Sequence, residues 1–233
     1  MLEGEHIIGA YVERHGDPET LLVAQSVMDR SEIRRLLDVM PSTRVLIVAE
    51  SAWSALGPMP AAAGVVAIIP APAPVMRQAA DFCLLLDDVQ DPGNVGSILR
   101  SAAAAGVAQV FLSPRCAFAW SPKVLRAGQG AHFHLELYEA VDLAAWARDY
   151  AGRVVAAITT GGESLFTADL APPIALAVGN EGAGLSSSLR AAARQHATIP
   201  MPGGFESLNA AAAAAICLFE CVRRRTAAPF RHP

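Results

Sequence analysis

The chain is poor in several things, and each shortage narrows its chemistry. Of 233 residues only four are cysteine, Cys83, Cys116, Cys217 and Cys221, and none stands in a CxxC pair. Cys217 and Cys221 share one face of an expected helix without paired ligands nearby, so no metal site is expected and the thiols read as free and mostly buried. Lysine occurs once, at Lys123, outside any GxxxxGK[ST] pattern, which excludes ATP hydrolysis by a phosphate loop. Gly93 and Gly96 supply GxxG rather than GxGxxG, and no acidic residue ends a suitable second strand, so a dinucleotide-binding oxidoreductase is disfavoured. "GFESL" lacks the GxSxG elbow of a hydrolase, because Glu206 precedes Ser207 and no second glycine follows. No stretch approaches the roughly 20 apolar residues of a membrane-spanning helix. The opening "MLEGEHIIG" carries acid where a secretory signal would carry positive charge, and a cytoplasmic protein is expected.

A basic coat is missing as well. The formal net charge is -4, which argues against tight nonspecific binding to nucleic acid, so any RNA contact must be local. What is present is a composition 53% hydrophobic and 17% charged, that of a folded globular chain. The segment "AIIPAPAPVMRQAADF" at 67–82 spaces Pro70, Pro72 and Pro74 as a stiff, extended connection would, and we place a domain boundary there, between 1–75 and 76–233. Upstream, "TLLVAQS", "RVLIVAE" and "GVVAIIP" read as strands and "SEIRRLLDVM" as a helix capped by Ser31, together a small α/β unit. Downstream, "FCLLLDD", "QVFLS", "FHLELYE", "RVVAAITT", "PIALAVGN" and "ATIPM" alternate with helical stretches, the signature of a parallel sheet covered on both faces. His132 and His134 alternate along a strand-like run, where packing or edge roles are expected of them. Ligands of such sheets sit beyond the carboxyl ends of the strands.

Three loops at those ends ask for more than a turn. In "DDVQDPGNVGSILRSAAAAGV", Asp87, Asp88, Gln90, Asp91, Asn94 and Arg100 crowd one connection; Asn94 reads as the start of a helix, with Arg100 six residues, about 9 Å, further along it. "ALAVGNEGAGLS" runs a strand into Gly179, Asn180, Glu181, Gly182 and Gly184, where glycines permit close approach of a ligand. "IPMPGGFESLNAAAAAAICLFE" joins a strand, a glycine loop and a helix, expected over Leu208–Arg223, whose small residues allow close packing. Each alone is explained by a tight turn or a crowded helix.

Together and in this order, the three resemble the motifs of the SpoU/TrmH-type RNA ribose methyltransferases of the SPOUT class. The likeness runs over 81–224 and includes "SPKVLRAGQGAHFHLEL", in which Gly128 stands where relatives often have serine. It implies an α/β fold: a C-terminal parallel-sheet SPOUT domain with a deep trefoil knot, preceded by a small α/β substrate-binding domain. It further implies S-adenosylmethionine as cofactor, tRNA or rRNA as substrate, and a homodimer with its sites near the subunit interface. Carried over residue by residue, it puts Arg100 at the reacting 2′-hydroxyl, with Asn94, Glu181, Ser207 and Asn209 as the polar surroundings. Cofactor contacts fall on Thr159, Gly179, Ile199, Met201 and Leu208. For Ile199 and Leu208 ordinary core packing is the competing reading. Arginine's pKa above about 12 makes orientation easier to defend than proton abstraction for Arg100. On this reading the polar cluster at 87–100 addresses the RNA and the reacting ribose. The alternative to an enzyme is an RNA- or nucleotide-binding protein that keeps the fold without turnover.

Overall fold

The computed structural model describes residues 1–55, 63–72, 74 and 78–226. The chain divides into two compact units, Met1–Pro72 and Ala73–Pro233. The expected stiff connection at 67–82 starts inside a strand, since Ala67 and Ile68 are sheet residues, and its positions 73 and 75–77 lie outside the described residues.

In the first unit the order is β1 (Leu2–Glu3), α1 (Glu5–His15), β2 (Thr20–Ala24), α2 (Ser31–Asp38), β3 (Arg44–Val48), α3 (Glu50–Ala55) and β4 (Val65–Ile68). The sheet runs β1-β4-β2-β3, with β2 and β3 parallel and β4 antiparallel to both β1 and β2. Ile33 and Leu36 form the buried stripe of α2. The cap expected of Ser31 is not made: Arg30 occupies the N-cap position without a side-chain cap bond, and Ser31 is the first helical residue.

The second unit holds β5 (Phe82–Asp87), α4 (Pro92–Ala104), β6 (Gln109–Leu112), α5 (Pro122–Gly128), β7 (Glu136–Tyr138), α6 (Leu143–Asp149), β8 (Arg153–Ala157), β9 (Glu163–Ser164), β10 (Ile174–Gly179), α7 (Ser187–Ala192), β11 (Gln195–Thr198) and α8 (Ala210–Arg225). Its seven strands run β7-β6-β5-β10-β8-β11-β9, and every pairing is parallel. The period of two along a strand sorts the apolar run of β5 onto both faces. Leu84 and Leu86 join Val95, Ile98, Leu99 and Leu218 on one side; Cys83 and Leu85 join Phe111, Leu143, Ala147 and Leu189 on the other. Because both faces are buried, continuous apolar runs are favoured here over alternation with polar residues. Strand β10 lies between β5 and β8 although both precede it in the chain, so the strand order reverses at the middle of the sheet.

Two helices close one face by approaching nearly to backbone contact. A Cβ on Gly96 of α4 would stand 2.5 Å from Ala127 Cβ and 2.6 Å from the Val124 carbonyl oxygen of α5, so only glycine lets these helices meet. The small residues of α8 are spent the same way: Ala210, Ala214, Cys217 and Cys221 are buried on the side that packs with the α4 face of the sheet. Burial pushes the Cys217 and Cys221 thiols up to about 12 and about 11, so both are neutral packing groups. The expected strand "FHLELYE" is shortened to Glu136–Tyr138. Ahead of it Ala131–His134 forms a 3-10 turn in which His132 is buried with Nε2 2.8 Å from the Ala119 carbonyl oxygen. Burial depresses the His132 imidazole to about 4 and it packs as a neutral ring.

Near its C-terminal end α8 is pinned to the chain below it. Glu220, buried, accepts from Arg223 Nε at 2.7 Å and from Arg224 Nε at 2.7 Å, and Arg224 Nη1 continues to the Ala168 carbonyl oxygen at 2.6 Å. The Arg223 hydrogen bonds, with those of Arg224, hold the Glu220 carboxyl at about 2 against an ordinary 4.5. A carboxyl depressed in the folded state stabilises it fully above the unfolded pKa and stops doing so as pH falls through the folded one. Urea midpoints of the wild type and Glu220→Gln are therefore expected to differ at pH 6 and to converge between about pH 4.5 and 2; a pH-independent gap would show that the ionised carboxylate contributes nothing.

Candidate active site

The loop after β5 begins the site. Asp91 caps α4, its side chain accepting from the Asn94 backbone N–H at 2.8 Å, and Pro92 takes the first helical turn, where a missing N–H costs nothing. Asn94 was expected to start the helix; with Asp91 in that role, the Asn94 amide is free to reach outward. Its Nδ2 donates to Glu181 Oε1 at 2.7 Å, and its Oδ1 accepts from Asn209 Nδ2 at 2.9 Å. Asn209 Oδ1 in turn accepts from the Ala211 and Ala212 N–H groups, capping α8, which starts at Ala210 rather than at Leu208. The chain of bonds fixes each amide's orientation, since a carboxylate only accepts and a backbone N–H only donates.

Glu181 is presented by a loop folded back on its own strand. Asn180 and Gly184 exchange backbone hydrogen bonds of 3.0 Å each way, and Asn180 Oδ1 accepts from the N–H groups of Gly182 and Ala183. The space for this comes from Gly179, where a Cβ would lie 2.3 Å from Gly184 C and 2.4 Å from Gly184 O. The close approach expected of a ligand at Gly179 is thus made first by the protein's own backbone.

The acids of the first motif are used to hold that loop. Asp87 Oδ2 accepts from the Ser186 N–H at 2.7 Å, and the Asp88 carbonyl accepts from Asn180 Nδ2 at 2.9 Å. Asp88 sits at φ +58°, a region costly for most side chains, with its carboxylate bound by Ser113 Oγ and Arg115. Burial pushes that carboxyl up, and the hydrogen bonds from Arg115 and Ser113 outweigh it and hold it below the ordinary range. Asp87, Asp88 and Asp91 are therefore absorbed by folding. Of the cluster expected to address the RNA, Asn94 bonds Glu181 and Asn209, and Gln90 and Arg100 are exposed.

Between the loops lies a cavity of about 340 Å³ at the carboxyl ends of β8, β10 and β11. Its lining includes Thr159, Gly179, Ile199, Met201 and Leu208, together with Glu181 and Ser207. Asn94 and Asn209 do not line it and are joined to it through Glu181. Arg100 stands apart: it is exposed, two turns along α4, with no hydrogen bond or ion pair to a described residue. Residue types and spacing had not singled out Arg190 and Glu206, which also line the cavity. Arg190 sits in a short helix without a motif of its own, so only the fold brings its cation here.

Gly179→Ala is expected to displace the 180–184 backbone and to weaken S-adenosylmethionine binding about 5- to 150-fold while the unit stays folded, because overpacking of about 1–3 kcal/mol falls on one loop. Calorimetric titration of a variant with native circular dichroism checks this; unaltered affinity would mean that the loop yields without cost.

Over 222 residues the chain is 30% identical to the 23S rRNA (guanosine(2553)-2′-O)-methyltransferase RlmP of Bacillus subtilis, covering 94% of this chain and 86% of that protein. It is 38% identical over 147 residues to the 23S rRNA (guanosine-2′-O-)-methyltransferase RlmB of Shewanella oneidensis, a match spanning 62% of this chain and 60% of RlmB. The crystal structure of the SpoU methyltransferase AviRb from Streptomyces viridochromogenes with AdoMet superposes with a TM-score of 0.81 at 31% identity, covering 97% of this chain and 90% of that one. Residues 81–219, which contain every strand of the seven-stranded sheet and all three loops, match the SpoU rRNA Methylase family, and the chain belongs to it.

Proposed function

We propose that the protein transfers a methyl group from S-adenosylmethionine to the ribose 2′-hydroxyl of a guanosine in 23S rRNA, working as a homodimer. One observation carries the enzymatic reading. Loops from three adjacent parallel strands converge on one cavity, and the Glu181–Asn94–Asn209 chain fixes a polar edge to it. The finer choice of a 23S rRNA guanosine is supported by the likeness to RlmP, which extends over both units of the chain. On this reading the first unit binds RNA, and the segment after β10 is threaded as the family's trefoil knot.

The cavity suits the cofactor. Its volume lies in the range of about 300–1,000 Å³ usual for small-ligand sites, and its walls mix Val178, Ile199, Leu208 and Ala213 with a few polar groups. Ile199 and Leu208 hold the adenine by apolar contact, and Thr159, Glu206 and Arg190 meet the polar ends. The bound cofactor supplies an electrophilic methyl group on a sulfonium.

What remains for the protein is to place an alcohol, a weak nucleophile near neutral pH, and to take its proton. Glu181 Oε1 is engaged by Asn94, whereas Oε2 makes no hydrogen bond to a described residue, so Oε2 is the acceptor for the 2′-hydroxyl proton. Asn94 holds that carboxylate in one rotamer. Arg100 grips the adjoining phosphate through its planar fork. Ser207 steadies the ribose from the third loop.

The homodimer is supported by the outer side of α8. Ala210, Ala214, Cys217 and Cys221 are buried inside the protomer, but Ile216 and Phe219 remain 37% and 47% exposed, an apolar stripe for a second copy. Among the described residues no helix is long and apolar enough to cross a membrane.

Mapping ribose methylation in RNA from cells with and without the gene tests the substrate: loss of one guanosine methylation in 23S rRNA is expected, and loss confined to tRNA would overturn the choice. Arg100→Ala is expected to keep cofactor affinity and to lower single-turnover methyl transfer at saturating RNA by at least about 100-fold, with Arg100→Lys no better because a point charge lacks the fork. A near-normal rate in Arg100→Ala would remove it from the mechanism. Sedimentation velocity should give a dimer at micromolar concentration for the wild type and a monomer for Phe219→Glu; a fully active wild-type monomer would refute the dimer.

A further inference from the structure

The third loop carries a side chain that neither the cavity nor the core explains. Phe205 is 82% exposed, against 59% for Phe118 and 52% for Phe166, and is the most exposed large apolar residue among those described. Single exposed apolar residues are ordinary on protein surfaces, so exposure alone decides nothing. Position does. Phe205 is followed directly by Glu206, Ser207 and Leu208, all of which line the cavity, and the turn before it is tied by the Gly204 N–H to the carbonyl of Met201, another lining residue. Every residue from Pro202 to Asn209 is exposed. Gly203 and Gly204 offer no side chain to cover the ring, and nothing lies within 4 Å of where their Cβ atoms would be. A flat apolar face is thus held open at the rim of the cavity where a ribose has to be presented.

We propose that Phe205 is a stacking platform for a base of the substrate RNA, either the base borne by the methylated ribose or its neighbour. The inference rests on the RNA ribose methyltransferase reading above. A ribose cannot reach the rim without bringing a base beside it, and in a folded rRNA that base must leave its stack or lie in an unpaired segment. An exposed phenyl ring repays the lost stacking with a π-face of its own, and it does so without regard to base identity. The ring therefore positions the nucleotide, and the identity of the base is read by other groups.

The test compares wild type, Phe205→Ala, Phe205→Leu and Phe205→Tyr in single-turnover methyl transfer over a range of unmodified 23S rRNA transcript concentrations. Direct RNA binding, S-adenosylmethionine titration and sedimentation are measured on the same proteins. Phe205→Ala is expected to raise the RNA concentration for half-maximal rate about 10- to 100-fold and to weaken RNA binding in parallel, leaving cofactor affinity and oligomeric state unchanged. Phe205→Tyr should restore the wild-type value within about threefold, and Phe205→Leu, apolar but without a π-face, should resemble Phe205→Ala. Equal rescue by leucine would overturn stacking in favour of plain apolar contact. Loss of the dimer in Phe205→Ala would assign the ring to the partner subunit, and an unchanged RNA dependence would assign it to solvent. A wild type that binds the transcript but transfers no methyl group would defeat the enzymatic reading alone, and the binding series would still decide the role of Phe205.

Discussion

The amide of Asn94 is the point on which the site depends. It belongs to the first turn of α4, yet it bonds a carboxylate 87 residues later and an amide 115 residues later in the chain. A side-chain amide is suited to this because it donates on one side and accepts on the other, so it can stand between an acceptor-only carboxylate and a donating asparagine. Both partners have second duties: Glu181 rides on a loop closed by Asn180, and Asn209 caps α8. A displacement of any one of these elements is felt by the other two. The carboxylate at the cavity is thereby held before any ligand arrives, which is the condition for catalysis by positioning.

Around that bridge the structure spends polar groups freely on small geometry. Asp87 and Asp88 give up a carboxylate and a carbonyl to hold the 180–186 loop, and Asp88 does so from a left-handed conformation. Gly179 and Gly96 each give up a side chain so that backbone can approach backbone, once inside the loop and once between α4 and α5. These are costs in conformational freedom, and they are offset by the buried sheet, whose central strands are covered on both faces. A formal net charge of -4 leaves the chain without a general positive field.

The amino-acid sequence by itself determined β5, β6, β8 and β10, because a strand buried on both faces reads as a largely apolar run; it did not show β9, and β11, Gln195–Thr198, begins two residues before the strand expected at "ATIPM". Thr159, Gly179, Ile199, Met201 and Leu208, which line the cavity, were legible through the resemblance to the SpoU/TrmH-type family and not through local pattern. Helix starts were not legible to the residue: several polar groups near each start could cap it, and which one does depends on where the backbone arrives, so Asp91 and Arg30 hold positions expected of Asn94 and Ser31. The strand expected over the His132 region was lost to a buried contact with Ala119, a tertiary hydrogen bond with no local signal. Only the tertiary structure decided which polar residues of the first motif fold the loop, that Ala210, Ala214, Cys217 and Cys221 of α8 are buried within the protomer, and that Arg190 and Glu206 join the cavity. Each of these depends on the distance between segments far apart in the chain, and local pattern carries no information about that distance.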